Sequence, residues 1–267
     1  MNCFICKKNN FETVYELPTK RIIRCLNDSL FFTEETKRPA KKLYGKQYYE
    51  NSPYSNFLNL NEKYFLRKLN KIKEQTKETD PTILDVGCGW GDFLKLLKKQ
   101  RINYLGIDQS DDAIHICRSN KLKAAKLTLQ DLIKQKKFFS AITFFQVIEH
   151  LKNPVLFLNN VKKLLKKNGI ILLATPNNDS PLRKIFGSKW SVYNEDSHFV
   201  FYNKQTLTKT LALVGFKNIK VRIDSLRFFS LKYIINKIVK LRITDYGLFR
   251  LPIPTDFLGD LEAVASV

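Results

Sequence analysis

The stretch "PTILDVGCGWGDFLKLLKK", Pro81 to Lys99, constrains this chain more than any other. A run of β-branched and aliphatic residues meets Asp85, three glycines follow at alternate positions, and an apolar pattern of helical period then puts Phe93, Leu94 and Leu97 on one face. Strand, glycine turn and helix in direct succession bring backbone N–H groups and a helix N-terminus close to a nucleotide. The spacing departs from a dinucleotide fingerprint, because the glycines are Gly87, Gly89 and Gly91 and Asp92 occupies the third-glycine position. A carboxylate at the strand end, Asp85, disfavours a pyrophosphate and suits a ligand carrying an ammonium or sulfonium.

The same alternation continues along the chain. "NYLGI" precedes a helix begun by Ser110, with Asp111 and Asp112 in its first turn. "AITFF" precedes a helix capped by Asn153 with Pro154 at its first position, and Phe157, Val161, Leu164 and Leu165 on its buried side. "GIILLAT" reads as a fifth strand, a helix runs from about Lys204 to Gly215, and "NIKVRI" and "LEAVASV" supply two more strands. Short apolar strands between amphipathic helices mean a parallel sheet, an α/β fold. Asp108 closes the second strand, where a carboxylate can accept both hydroxyls of a ribose. Asp85, the glycines and Asp108 together point to a nucleoside that carries a sulfonium, S-adenosylmethionine (SAM).

Composition narrows the class. A chain of 267 residues suits one α/β domain with appendages or two small domains, and 44% hydrophobic content can bury a sizeable core. Neither a signal-peptide core in "MNCFICKKNN" nor a run of about eighteen apolar residues is present, so a cytoplasmic protein is expected. Five cysteines, an odd number, leave thiols for packing or metal rather than a disulfide framework. The net charge of +21 fits either a polyanion-binding surface or a set of solvated helix faces. The lysines are spread over several helix-like stretches with no arginine-rich block.

"ILDVGCGWGDFL", "YLGIDQSDDAI", "FFQVIEHLKNP", "LLKKNGIILLATPN" and "HFVFYNKQTLTKTLALVGF" resemble, in order and spacing, the class I SAM-dependent methyltransferases. Within that family they resemble the branch that includes the ubiquinone-biosynthesis O-methyltransferases and many sugar and natural-product methyltransferases. The resemblance spans about residues 40 to 267. It implies a Rossmann-like seven-stranded sheet of order 3-2-1-4-5-7-6 with strand 7 antiparallel. It also implies that the loop Gly87, Cys88, Gly89 to Gly91 holds the methionine moiety, Asp108 the ribose, Gln109 the flank of the adenine, and Gln130 or Asp131 the adenine amino group. Gln146, ending the fourth strand, is expected near the methionine end.

At the N-terminus "CFIC…IIRCLNDSLFF" resembles the two-knuckle zinc ribbon found ahead of many members of this branch. Cys3, Cys6 and Cys25 keep three thiolates, Asp28 stands in the place of the fourth cysteine, and Ser29 replaces a glycine. Either a zinc site of three sulfurs and one oxygen or a metal-free ribbon held by packing follows. The organisation expected is a ribbon-like segment over 1–35, a helical lead-in over 36–78 and the methyltransferase domain over 79–267.

An alcohol acceptor must lose a proton, and histidine is the economical base. Of the three histidines, His115 sits on the second helix as a structural residue, His150 follows Glu149 after the fourth strand, and His198 lies in an aromatic-rich segment with Trp190, Tyr193 and Phe199. His198 is the first candidate for proton acceptor and His150 the second, with orientation of its loop as the other role for His150. The acceptor implied is a small hydroxyl compound such as a sugar or sugar-nucleotide. RNA ribose is the alternative: small-RNA 2′-O-methyltransferases carry a similar E-x-x-E-H motif that binds a divalent metal. Here Gln146 replaces the first acid, which leaves Glu149, His150 and His198.

Overall fold

The computed structural model describes residues 2–35, 58–224, 228–230, 252–254 and 259–267. Positions 36–57 of the expected lead-in lie outside the described residues. The N-terminal segment is an antiparallel meander of β1 (Phe11–Glu16), β2 (Lys20–Cys25) and β3 (Phe31–Glu35), and α1 (Leu58–Thr76) precedes the main sheet.

That sheet contains β4 (Ile83–Val86), β5 (Tyr104–Ile107), β6 (Ala124–Ala125), β7 (Phe139–Phe145), β8 (Leu165–Pro176), β10 (Lys217–Asp224) and β13 (Asp260–Ser266). Their order is β10-β13-β8-β7-β4-β5-β6, and β13 runs antiparallel to both β8 and β10. Renumbered within the sheet, this is the expected order with its single reversed strand. A separate pair, β11 (Phe228–Ser230) and β12 (Pro252–Pro254), stands apart from it.

Helices cover both faces, which is why β4 is buried at every position. On one face α1, α2 (Asp92–Lys99) and α3 (Asp111–Ser119) contribute Leu69, Ile72, Phe93, Leu94, Leu97 and Ile114 to one core. On the other, α4 (Leu129–Lys134), α5 (Pro154–Lys163) and α7 (Lys204–Leu213), the last preceded along the chain by the short α6 (Pro181–Phe186), contribute Leu132, Leu158, Val161, Leu207 and Leu211 to a second. The helix starts follow the sequence signals: the Ser110 side chain accepts from Ala113 N and the Asn153 side chain from Leu156 N. Leu165, read above onto the buried side of the α5 helix, instead opens β8. The helix ends at Lys163 with Leu164 as its cap, so the strand takes over one residue later.

The N-terminal meander shares a four-stranded sheet, β1-β2-β3-β9, with β9 (Val200–Phe201) from the far side of the chain. Its residues alternate between two cores. Ile23 and Phe32 join the core under α5 and α7, whereas Ile22 and Phe31 pack with Trp190, Tyr193 and Phe201. No helix among the described residues is long and apolar enough to cross a membrane.

Candidate functional site

The glycine corner forms as its spacing requires. Gly87 has φ +70°, and a Cβ there would lie 2.5 Å from Val147 Cγ2. Gly91, φ +76°, caps α2, and a Cβ there would lie 2.6 Å from Leu122 Cδ1 and 2.9 Å from Cys117 Sγ. Both positions exclude side chains by backbone conformation and by space. The loop is tied to the next strand: Gly87 N donates to Ile107 O at 2.8 Å, and Gly89 N donates to Asp108 Oδ2 at 2.9 Å. Asp108 Oδ1 accepts from Ser110 N at 2.9 Å. Each of these carboxylate oxygens has further acceptor capacity, which suits a diol.

Asp85 is buried, 3% exposed, and accepts from Thr143 Oγ1 at 2.7 Å. Burial pushes its carboxyl up to about 7; the Thr143 bond opposes the shift and the charge of Asp108 adds to it. A carboxyl poised near neutrality gains most from a cationic neighbour. Cys88 fills space in the loop, its thiol held well above the ordinary range by its hydrogen bond with Cys117 and by burial. Gln109 Nε2 donates to Leu127 O at 2.8 Å and so bridges the loops after β5 and β6. Gln130 is exposed at the start of α4. Asp131 Oδ2 accepts from Thr128 N at 2.9 Å and Thr128 Oγ1 at 2.7 Å, a capping box that holds its carboxyl below the usual range.

Gln146 directly follows β7 in a left-handed conformation, φ +58°, and its Nε2 donates to Asp260 Oδ2 at 2.9 Å. The following turn, Ile148–His150, brings His150 beside His198, with ring centroids 4.6 Å apart and planes at 67°. His150 Nδ1 meets Ser197 O at 3.0 Å, and His198 Nδ1 meets Val192 O at 2.9 Å. Carbonyls only accept, so each neutral ring carries its hydrogen on Nδ1 and its lone pair on Nε2. Burial pushes His150 down to about 4, against the opposing pull of the Ser197 carbonyl, and the ring is neutral at pH 7. Glu149 is 1% exposed and accepts from Thr175 Oγ1 at 2.9 Å. Polar atoms of Glu149, His150 and His198 lie within 4.8 Å of one another. His115 stands apart, exposed on α3.

At the N-terminus Cys3, Cys6, Cys25 and Asp28 also converge, their ligand atoms all within 4.8 Å. Cys3 Sγ is 3.6 Å from Asp28 Oδ2, and Cys6 Sγ is 3.6 Å from Cys25 Sγ. The two loops are alike in backbone. Cys3 N donates to Lys8 O and Lys7 N to Cys3 O, both at 2.8 Å, while Cys25 N donates to Leu30 O at 2.9 Å and Ser29 N to Cys25 O at 2.8 Å. Lys7 and Ser29 both take positive φ, 65° and 59°. Asp28 therefore occupies in its loop the place that Cys6 occupies in the first. Lys209 of α7 reaches Asp28 Oδ1 at 3.2 Å.

Several participants escaped the sequence. Thr143, a hydroxyl in the apolar "AITFF", could have been noticed as a strand residue needing a partner. Thr175, Lys209 and Thr33, whose hydroxyl donates to His198 O at 2.7 Å, carry no local signal, because their partners lie on other elements.

The family described as "Methyltransferase domain" matches residues 58–221, more than half of the chain. The ubiquinone biosynthesis O-methyltransferase of Pelagibacter ubique is 35% identical over 100 residues, which is 36% of this chain and 42% of that protein. The matched region spans 63% of the corresponding Nitrosomonas europaea protein, at 28% identity over 148 residues and 52% of this chain, so this chain spans about half the length of the curated relatives it matches. A SAM-dependent methyltransferase from Archaeoglobus fulgidus shares the fold at TM-score 0.60 and 20% identity, covering 84% of this chain and all, 100%, of that one. The chain belongs to the methyltransferase-domain family and has the class I SAM-dependent methyltransferase fold.

Proposed function

We propose that this chain transfers the methyl group of SAM to a hydroxyl of a small acceptor. The observation that carries the reading is the Asp85–Gly89–Asp108 corner, a buried carboxyl near neutrality beside a glycine loop bonded to an acidic strand end. Gly87 to Gly91, with Cys88 packed beneath, would hold the methionine moiety, Asp85 would balance its positive charge, and Asp108 would accept from the ribose. Gln109, Gln130, Asp131 and Gln146 would border the remainder. Bound there, SAM supplies an electrophilic methyl group.

His198 Nε2 is the first candidate to receive the acceptor proton as the new C–O bond forms, and His150 the second. Support comes from the contacts of both rings at Nδ1, with Ser197 O and Val192 O, which fix the orientation of the two imidazoles side by side. Methyl ether and S-adenosylhomocysteine (SAH) would be the products. The acceptor proposed is a sugar or sugar-nucleotide. The similarity to ubiquinone biosynthesis O-methyltransferases favours a second reading, an acceptor in ubiquinone biosynthesis. RNA gains no contact: Gln146, which replaces the acid of the metal-binding motif, is engaged with Asp260.

Cys3, Cys6, Cys25 and Asp28 would hold a structural zinc ion, whose role is to cross-link the two knuckle loops. Separations of 3.6 Å between Cys6 and Cys25 sulfurs and between the Cys3 sulfur and an Asp28 oxygen suit neighbouring corners of a tetrahedron. Incubation with SAM and a panel of sugar-nucleotides, quinone precursors and RNA, with a mass-spectrometric search for the gain of one methyl group, tests the acceptor. A methylated sugar-nucleotide supports the first reading, a methylated quinone precursor the second, and methylated nucleic acid alone would overturn both.

A further inference from the structure

The knuckle loops and the histidine pair belong to one continuous piece of structure. β2 runs into the second knuckle at Cys25, and β3 leaves it at Phe31. β3 then pairs with β9, Phe31 opposite Phe201 and Phe32 opposite Val200. Just beyond that ladder, Thr33 N donates to Phe199 O at 2.9 Å and Thr33 Oγ1 to His198 O at 2.7 Å. The ammonium of Lys20, buried at 3% exposure, donates to Glu195 O at 2.5 Å. The segment bearing His198 is thus fastened at both ends to strands of the N-terminal meander. Phe199 N donates to Glu149 O at 2.8 Å, which extends the connection to the turn that carries His150.

We infer that metal occupancy of the Cys3/Cys6/Cys25/Asp28 site positions His198, through the ladder between β3 and β9. A meander of this size has little core of its own, and a metal that joins the two knuckles fixes the register of the strands leaving them. His198 is a positioned residue in this scheme and the knuckle ligands are positioning residues, since they act through β3. Asp28 makes the site harder, and less selective for zinc, than four thiolates would. A carboxylate is a harder, less zinc-selective donor, and its outer oxygen is shared with Lys209.

The inference rests on the zinc reading but not on the identity of the acceptor. Three histidines make it testable by NMR of full-length, 13C-histidine-labelled protein, with His115 as internal control. Protein reconstituted with zinc alone should contain one zinc per chain by elemental analysis. Chelation should shift or broaden the His198 signal, and to a lesser degree that of His150, leaving His115 and calorimetric SAH binding unchanged. Thr33→Val, which leaves the knuckles intact, should retain zinc and move His198 alone.

One zinc bound and then removed with all three signals unmoved would overturn the coupling and leave the zinc reading standing. Failure to bind zinc at all would overturn the zinc reading and the coupling with it, whereas loss of SAH binding by the zinc-loaded wild type bears on the methyltransferase reading. If chelation unfolds the chain, zinc-loaded Thr33→Val decides: an unmoved His198 signal rejects the route.

Discussion

The backbone amide of Gly89 donates to the carboxylate of Asp108 at 2.9 Å, which joins the loop after β4 to the end of β5. The other oxygen of Asp108 accepts from Ser110, the cap of α3, so one side chain fixes a loop, a strand end and a helix start. The cofactor corner is therefore organised before any ligand arrives. Preorganisation of this kind reduces the ordering cost of binding.

Gly87→Ala should break that corner. The left-handed backbone costs a non-glycine residue about 1–2 kcal/mol, and the clash with Val147 adds about 1–3 kcal/mol of overpacking. Chemical denaturation should show the sum. Val147→Ala in the same chain should recover only the packing share, because the φ of +70° persists; full recovery would mean that backbone conformation at Gly87 is not limiting.

SAH binding should depend on pH through Asp85. Burial places its carboxyl at about 7 in the free protein, above the ordinary 3.8. The folded chain therefore holds a proton that the unfolded chain has lost between those values, and this group's contribution to stability declines as pH rises from about 4 to about 7. An ammonium beside Asp85 favours the carboxylate, so binding releases the proton below pH 7. Affinity should rise with pH up to about 7, by at most about tenfold per unit, and then level off. Calorimetry in buffers of different ionisation enthalpy measures the proton directly. Asp85→Asn should flatten the profile; an unchanged profile in that variant would remove Asp85 from the linkage.

The main sheet was legible because its strands and helices follow one another with separate periodicities and marked starts, as at Ser110 and Asn153. The cofactor corner was legible because Gly87, Gly89, Gly91, Asp85 and Asp108 are local to two adjacent strands. What joins distant segments was not. Nothing in "SLFFTEE" tells that Phe31 and Phe32 pair with Phe201 and Val200, or that Thr33 supports His198. Nor does the aromatic-rich segment with Trp190 and Tyr193 tell its own partners: both side chains are buried against Ile22 and Phe31 of the N-terminal sheet. Asp131 reads as a ligand contact from its place after the third strand, and its engagement with Thr128 three residues earlier, a capping box, is written equally plainly in "TLQD".

The histidines can be separated by substitution once an acceptor is known. Removing a general base typically costs about 10²–10⁴-fold in rate, so His198→Ala should lower turnover on that scale with SAH affinity retained. His150→Ala should lower it less. Loss confined to His150→Ala would transfer the role to His150, and full turnover in both variants would leave positioning as the whole of the catalysis.

Cys3→Ser should release zinc without abolishing SAH binding, because the cofactor corner and the knuckles share no ligand. Elemental analysis beside calorimetry checks both. Zinc retained after Cys3 and Cys6 are replaced together would place the metal elsewhere in the chain.

Calorimetric titration of SAH into the wild-type chain and into Asp108→Ala decides whether this corner holds the cofactor. One site is expected in the wild type. Weaker binding is expected in the variant, by about 1.5–3 kcal/mol for each charged hydrogen bond lost, with further loosening of the loop that Asp108 anchors through Gly89. No binding to the wild type, or equal binding to both, would contradict that placement of the cofactor.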